Sequence, residues 1–266
     1  MTGADQRLEA REGEQDSHGG LALVMPMAGR GSRFLRAGRT EPKPLIDIAG
    51  HPAFWWATES VRRAVSMRAL VYVVLEEHVR DFAIDHVILD LYPEARVVTV
   101  RELTGGAAES AAIGVATLEG EGPIAINDCD HAFVAGDALR ELSAALKSGA
   151  TGALVGFRAS SPGYAYVTLD QGGLVRETVE KRTVGEFAIA GCYLFDSAQT
   201  FVRGLVQYRA ECRYPELYVS GIYNVLIREG ARIEFRELAH HMPFGTPEEL
   251  GRLDARRLEH VLGGEQ

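Results

Sequence analysis

The chain has 266 residues, 46% hydrophobic and 24% charged, with a formal net charge of −9. That is an ordinary globular balance, long enough for one large α/β domain with a substantial core. The acidic excess argues against nonspecific nucleic-acid binding, and no apolar run approaches the roughly 18 residues needed to span a bilayer.

The first 19 residues are polar and without periodicity, and end at Gly19-Gly20. They read as a disordered tail with no secretory apolar segment, and the folded domain is expected over 20–266. Cys129, Cys192 and Cys212 are odd in number and fit no zinc spacing, so a reducing, cytoplasmic setting is expected. Self-association is left open.

An apolar run, Leu21 to Met27, predicts a buried first strand. Directly after it comes Ala28-Gly29-Arg30-Gly31-Ser32-Arg33-Phe34. Glycines let backbone N–H groups approach phosphate oxygens, and the Arg33 fork can pair with phosphate. Ten residues on, Lys43 stands between Pro42 and Pro44, which stiffen its backbone. Arg30, Arg33, Arg36, Arg39 and Lys43 concentrate positive charge that this acidic chain otherwise lacks. Only three lysines occur, Lys43, Lys147 and Lys181, against 25 arginines, so a lysine can mark a place that needs a compact ammonium.

A helix is expected from near Pro52 through Val61, a strand over 69–75, a helix over 76–91 and a strand over 96–100. Thr104-Gly105-Gly106-Ala107-Ala108 then opens a helix of small residues to about Leu118. Ile124 to Ile126 is a short strand ending in Asn127-Asp128-Cys129-Asp130. Strand-end carboxylates suit magnesium, which takes one or two of them plus substrate phosphate. This βαβα rhythm predicts a doubly wound, mostly parallel sheet.

After about residue 150 the rhythm changes. Strands are expected at 152–157, 164–169, 174–180 and 187–195 with only turns between them, an antiparallel section. Helices near 197–209 and 216–228, a strand at 233–238 and a terminal helix from Pro247 complete the chain.

The pattern Gly29-x-Gly31-Ser32-Arg33-Phe34 followed by Pro42-Lys43-Pro44-Leu45 resembles the signature of sugar-phosphate nucleotidyltransferases. No Gly-Lys-Ser/Thr is present, which excludes a Walker loop. The resemblance runs from about Leu21 to Leu250. It implies a GT-A-like, Rossmann-like fold whose antiparallel section binds the acceptor. It implies magnesium as cofactor and, as partners, a nucleoside triphosphate and a phosphorylated small molecule, with pyrophosphate released.

By that resemblance Arg33 and Lys43 are catalytic. Ala28, Gly29, Gly31 and Ser32 bind the nucleotide, with Gly106-Ala107 at the base. Gly163, Glu180, Lys181 and Gly191 bind the acceptor; Asp130, or else Asp128, holds the metal. The family's second metal aspartate has no counterpart, because Pro243 stands two residues before Gly245 in its place. Two rivals accompany this reading. One is a glycosyltransferase using Asp128-Cys129-Asp130 as a metal motif. The other is a catalytically silent domain that binds a nucleotide sugar.

Overall fold

The computed structural model describes residues 20–263, so the tail assigned to residues 1–19 lies outside the described residues. The strands are β1 (Leu21–Met27), β2 (Asp47–Ile48), β3 (His51–Pro52), β4 (Met67–Leu75), β5 (Arg96–Val100), β6 (Ile124–Asn127), β7 (His131–Val134), β8 (Gly152–Arg158), β9 (Ala165–Leu169), β10 (Val175–Glu180), β11 (Phe187–Phe195), β12 (Ile233–Glu237) and β13 (His240–Pro243). The α-helices are α1 (Ser32–Arg36), α2 (Ala53–Arg62), α3 (Glu76–Phe82), α4 (Ile84–Leu91), α5 (Ala107–Val115), α6 (Ala138–Lys147), α7 (Ala198–Glu211), α8 (Val219–Arg228), α9 (Pro247–Arg252) and α10 (Ala255–Gly263).

Strands β5, β4, β1 and β6 pair in parallel, as the alternating sequence rhythm requires. The sheet then turns antiparallel at β11, which pairs with β6 and β8. Strand β12 extends the β8 edge in parallel, and the β9–β10 hairpin joins the start of β11. The result is one nine-stranded sheet.

Each face carries its own core. Val24, Val73, Ile126 and Leu154 pack with α5, α7 and α8 on one side. Leu23, Met25, Tyr72 and Leu194 pack with α2, α4 and α6 on the other. Period-two alternation of β1 supplies both: Ala22 and Val24 face one core, Leu21, Leu23 and Met25 the other. Helices on both faces make the sheet doubly wound, as predicted.

Several local features depart from the sequence reading, among them the terminal helix expected from Pro247, which breaks after Arg252 into α9 and α10. The helix expected over 76–91 breaks at Ala83, held at φ 49, into α3 and α4. Helix α6 was not foreseen, although its buried Leu139, Leu142 and Leu146 recur at helical spacing. Helix α8 starts at Val219 rather than 216, because Leu217 is engaged elsewhere. Finally, β7 and β13 pair antiparallel across more than a hundred residues, with Pro243 opposite His131. Ala132 and Met242 from this pair, and Phe244 just after it, join Phe34, Trp56 and Leu258 in a third, smaller core.

Candidate functional site

Strand β6 runs into Asp128 at the carboxyl edge of the parallel strands, where α/β folds place ligands. The Asp128 amide donates to the Gly191 carbonyl at 2.9 Å. Gly191 interrupts the β8–β11 register between Ile189 and Tyr193 and sits at φ 69. A Cβ there would lie 2.3 Å from His131 Cε1 and 3.0 Å from Asp128 Oδ2. The protein's own imidazole and carboxylate thus demand the glycine. Its backbone still lines the cavity described below.

Lys43 opens a 3-10 turn, Lys43–Leu45, immediately after Pro42. Its Nζ donates to Asp130 Oδ2 at 2.7 Å, and the two side chains are 24% and 28% exposed. Burial opposes both charges, yet each stabilises the other. The Lys43 ammonium is held above its ordinary value by Asp130, Cys129 and Asp128. Lys43 and His131 hold the Asp130 carboxyl below its ordinary value against that burial.

Asp128 behaves in the opposite sense. Burial, then repulsion from Asp130, outweighs Lys43 and pushes its carboxyl well up; Glu180 adds to the repulsion. A buried carboxylate in that position favours a proton or a cation.

Asn127 is fully buried and orients the next residue in the cluster. Its Nδ2 donates to the Ala57 carbonyl at 3.0 Å, so its Oδ1 accepts from His131 Nε2 at 3.2 Å. His131 Nδ1 then faces Asp130 Oδ1 at 3.9 Å. Burial lowers the His131 imidazole to about 4, against the pull of Asp130.

Asp128, Asp130, His131 and Gly191 line a cavity of about 180 Å³. Of the predicted site residues, it brings together Arg33, Asp128, Asp130, Gly163, Glu180 and Gly191, with Lys43 against Asp130. The antiparallel section contributes one wall. Glu180 there accepts from Ser220 Oγ at 2.7 Å, and Tyr164 Oη donates to Glu249 Oε1 at 2.7 Å. Tyr164, His131, His241 and Glu249 line the cavity too and were not singled out from sequence. Pro243 lines it as well, in the place where the resemblance would put a second metal aspartate.

The other predicted residues do not line this cavity. Ala28 is buried at the end of β1, and exposed Gly29 and Ser32 flank Gly31, which caps α1. Gly106 and Ala107 start α5 beside Leu217. Leu217 N–H donates to the Gly105 carbonyl at 2.8 Å, and its carbonyl accepts from Ala108 N–H at 3.0 Å. A Cβ on Gly106, at φ 144, would lie 2.5 Å from the Leu217 nitrogen, so packing alone already requires glycine there. Lys181, at φ 52, turns away to Tyr218, donating to its hydroxyl with its Nζ 4.3 Å from the ring centre.

Among the described residues no group of three or more His, Cys, Asp or Glu side chains forms a complete metal cage. Two carboxylates facing one cavity nevertheless fit magnesium, which completes its shell with water and substrate phosphate.

The profile of the MobA-like NTP transferase domain matches residues 23–200. The chain belongs to this family. That span covers the Gly-Arg loop, Lys43, both aspartates, Glu180 and Gly191, and ends at the start of α7. No curated protein sequence matches the chain.

Solved structures share the fold. A nucleoside-diphosphate-sugar pyrophosphorylase from Vibrio cholerae is 22% identical, with a TM-score of 0.75 over 86% of this chain and 98% of that one. An inositol-1-phosphate CTP transferase from T. maritima is 17% identical, with a TM-score of 0.68 over 91% and 94%. HddC from Yersinia pseudotuberculosis is 15% identical, with a TM-score of 0.64 over 89% and 99%. This MobA-like NTP transferase therefore has the nucleotidyltransferase architecture along nearly its whole described length, and it is a nucleotidyltransferase. No helix among the described residues is long and apolar enough to cross a membrane.

Proposed function

We propose that this NTP transferase joins a nucleoside monophosphate unit from a triphosphate to a phosphorylated small molecule, a sugar phosphate or a similar metabolite. A phosphate oxygen of the acceptor attacks the α-phosphorus. The new P–O–P bond forms as the bond to the β-phosphate breaks, and pyrophosphate leaves with that electron pair. The attacking phosphate is already ionised, so no general base is needed.

The observation that carries this reading is the convergence of Arg33, Asp128 and Asp130 on one cavity, with Lys43 paired to Asp130 behind them, in a chain of this family. Lys43 and Arg33 offer preplaced positive charge to the triphosphate and to the departing pyrophosphate. The loop from Ala28 to Ser32 supports the phosphates, and the backbone at Gly106-Ala107 faces the base. Glu180, Gly163 and Gly191 line the space for the acceptor, and Lys181 lies just beyond it to meet the acceptor phosphate. Asp128 and Asp130 would hold magnesium, which when bound draws charge from the phosphates and lowers the barrier to attack. The three thiols, none in a disulfide, support a cytoplasmic setting.

The test is pyrophosphate release with each of the four common triphosphates against a panel of phosphorylated sugars, polyols and amino alcohols. One triphosphate–acceptor pair should release pyrophosphate in a magnesium-dependent manner. Hydrolysis or glycosyl transfer in place of pyrophosphate release would overturn the reading. A tightly bound nucleotide sugar with no turnover in either direction would point to the silent domain instead.

A further inference from the structure

His241 occupies a position the proposed chemistry leaves unused. It stands on β13, whose alternation sends Met242 into the small third core, with Phe244 following it there, and turns His241 and Pro243 to the cavity. Its ring lies flat on Phe157, with centroids 3.8 Å apart and an interplanar angle of 21°. Phe157 is fixed in turn by Tyr164, edge-on at 5.2 Å. The His131 ring lies 5.5 Å from it, tilted by 42°.

Both ring nitrogens of His241 are buried, and neither has a hydrogen-bond partner among the described residues. An unpaired buried polar atom costs about 1–3 kcal/mol. A phenylalanine would fill the same slot on Phe157 without that cost. The imidazole therefore calls for a partner that the protein does not supply, and a small turn of the ring in its slot is needed to open one nitrogen to the cavity it lines.

We propose that His241 is an acceptor-binding residue that reads a hydroxyl group on the phosphorylated substrate. This rests on the nucleotidyl-transfer reading and narrows its acceptor to hydroxylated compounds. Burial, with His131 beside it, keeps the His241 ring neutral, so it presents one N–H and one lone pair. Phosphate is better met by Arg33 and Lys43, whereas a hydroxyl can receive the imidazole N–H and donate its own proton. The acceptors for such protons are at hand, because the carboxylates of Glu180 and Glu249 line the same cavity. A trimethylammonium group would satisfy the carboxylates but leave the imidazole unpaired.

The experiment measures pyrophosphate release by the full chain. Glucose 1-phosphate and inositol 1-phosphate serve as hydroxylated probes and phosphocholine as a hydroxyl-free one. His241→Phe keeps the stack on Phe157 and removes both nitrogens; His241→Gln restores one donor and one acceptor. Turnover is expected with a hydroxylated probe. The phenylalanine variant should raise the acceptor KM about tenfold, the scale of one hydrogen bond. Its triphosphate KM and kcat should stay within about twofold, and the glutamine variant should fall between it and wild type.

Turnover of phosphocholine alone, an unchanged acceptor KM in His241→Phe, or equal rises in both KM values would overturn the role of His241 and leave nucleotidyl transfer standing. An unchanged KM would mean that a buried water completes the ring. No pyrophosphate release by wild type with any triphosphate and any of the wider panel of acceptors would overturn the transfer reading and this assignment with it. A melting temperature of His241→Phe at or above that of wild type excludes misfolding as the cause of a KM change.

Discussion

Lys43 Nζ lies 2.7 Å from Asp130 Oδ2, joining residues 87 positions apart, and Asp130 lines the cavity. The lysine expected to grip phosphate and the aspartate expected to grip a metal are ion-paired to each other. Each balances the charge of the other in a part-buried setting.

Lys43→Ala should therefore do two things. Turnover should fall by about 10²–10³, the usual effect of removing a preplaced charge that stabilises a transition state. Stability should fall as well, because Asp130 is left beside Asp128 without its counter-ion. The double variant Lys43→Ala/Asp130→Asn should regain much of the stability and none of the activity. Melting curves and pyrophosphate release on the three proteins check this; a double variant as unstable as Lys43→Ala would contradict the pairing.

Asp128 and Asp130 should titrate stability in opposite directions. The Asp128 carboxyl is raised in the folded state, towards about 8, by burial and then by Asp130. The folded protein thus holds this proton where the unfolded chain has lost it, and stability falls as pH rises from the ordinary carboxylate range towards that value. Asp130 is depressed, so its contribution is present above the ordinary range and is lost on acidification. Without metal, Asp128→Asn should flatten the decline between pH 5 and 8, on the order of those two limits. Urea denaturation across that range is the measurement. A slope that the substitution leaves unchanged would refute the assignment.

Gly191→Ala should cost stability and activity together. The added Cβ meets the His131 ring at 2.3 Å and Asp128 Oδ2 at 3.0 Å, on a backbone at φ 69. Overpacking of a tight site costs about 1–3 kcal/mol, and the left-handed backbone adds roughly 1–2. Chemical denaturation should show a loss in this range. A stable, active alanine variant would mean that His131 has room to move.

Lys181→Ala should raise the acceptor KM more than the triphosphate KM. The ammonium rests on the Tyr218 ring, outside the cavity wall, from which it must swing to reach a phosphate. Lys181→Arg should rescue only in part, since a planar guanidinium places its charge differently. Paired saturation curves for the two substrates decide it, and equal damage to both would argue against an acceptor role.

The chain by itself determined the first strand, the loop that follows it, Pro42-Lys43-Pro44 and the strand-end aspartates, because these features depend on residues close in sequence. Local periodicity likewise determined the change from helix-linked strands to an antiparallel section near residue 150. Tertiary structure decided what those residues face. The β7–β13 pairing set Pro243 opposite His131 and turned His241 to the cavity, and nothing local in His240 to Pro243 announces a partner more than a hundred residues away. It showed that Gly191 and Gly106 make room for the protein's own groups, His131 and Leu217, where a motif suggests only room for ligand. It also paired Lys43 with Asp130. Sequence supplies the kind of charge and its backbone setting, whereas charge pairing in a cavity depends on distances of a few ångströms that only the packed sheet brings about.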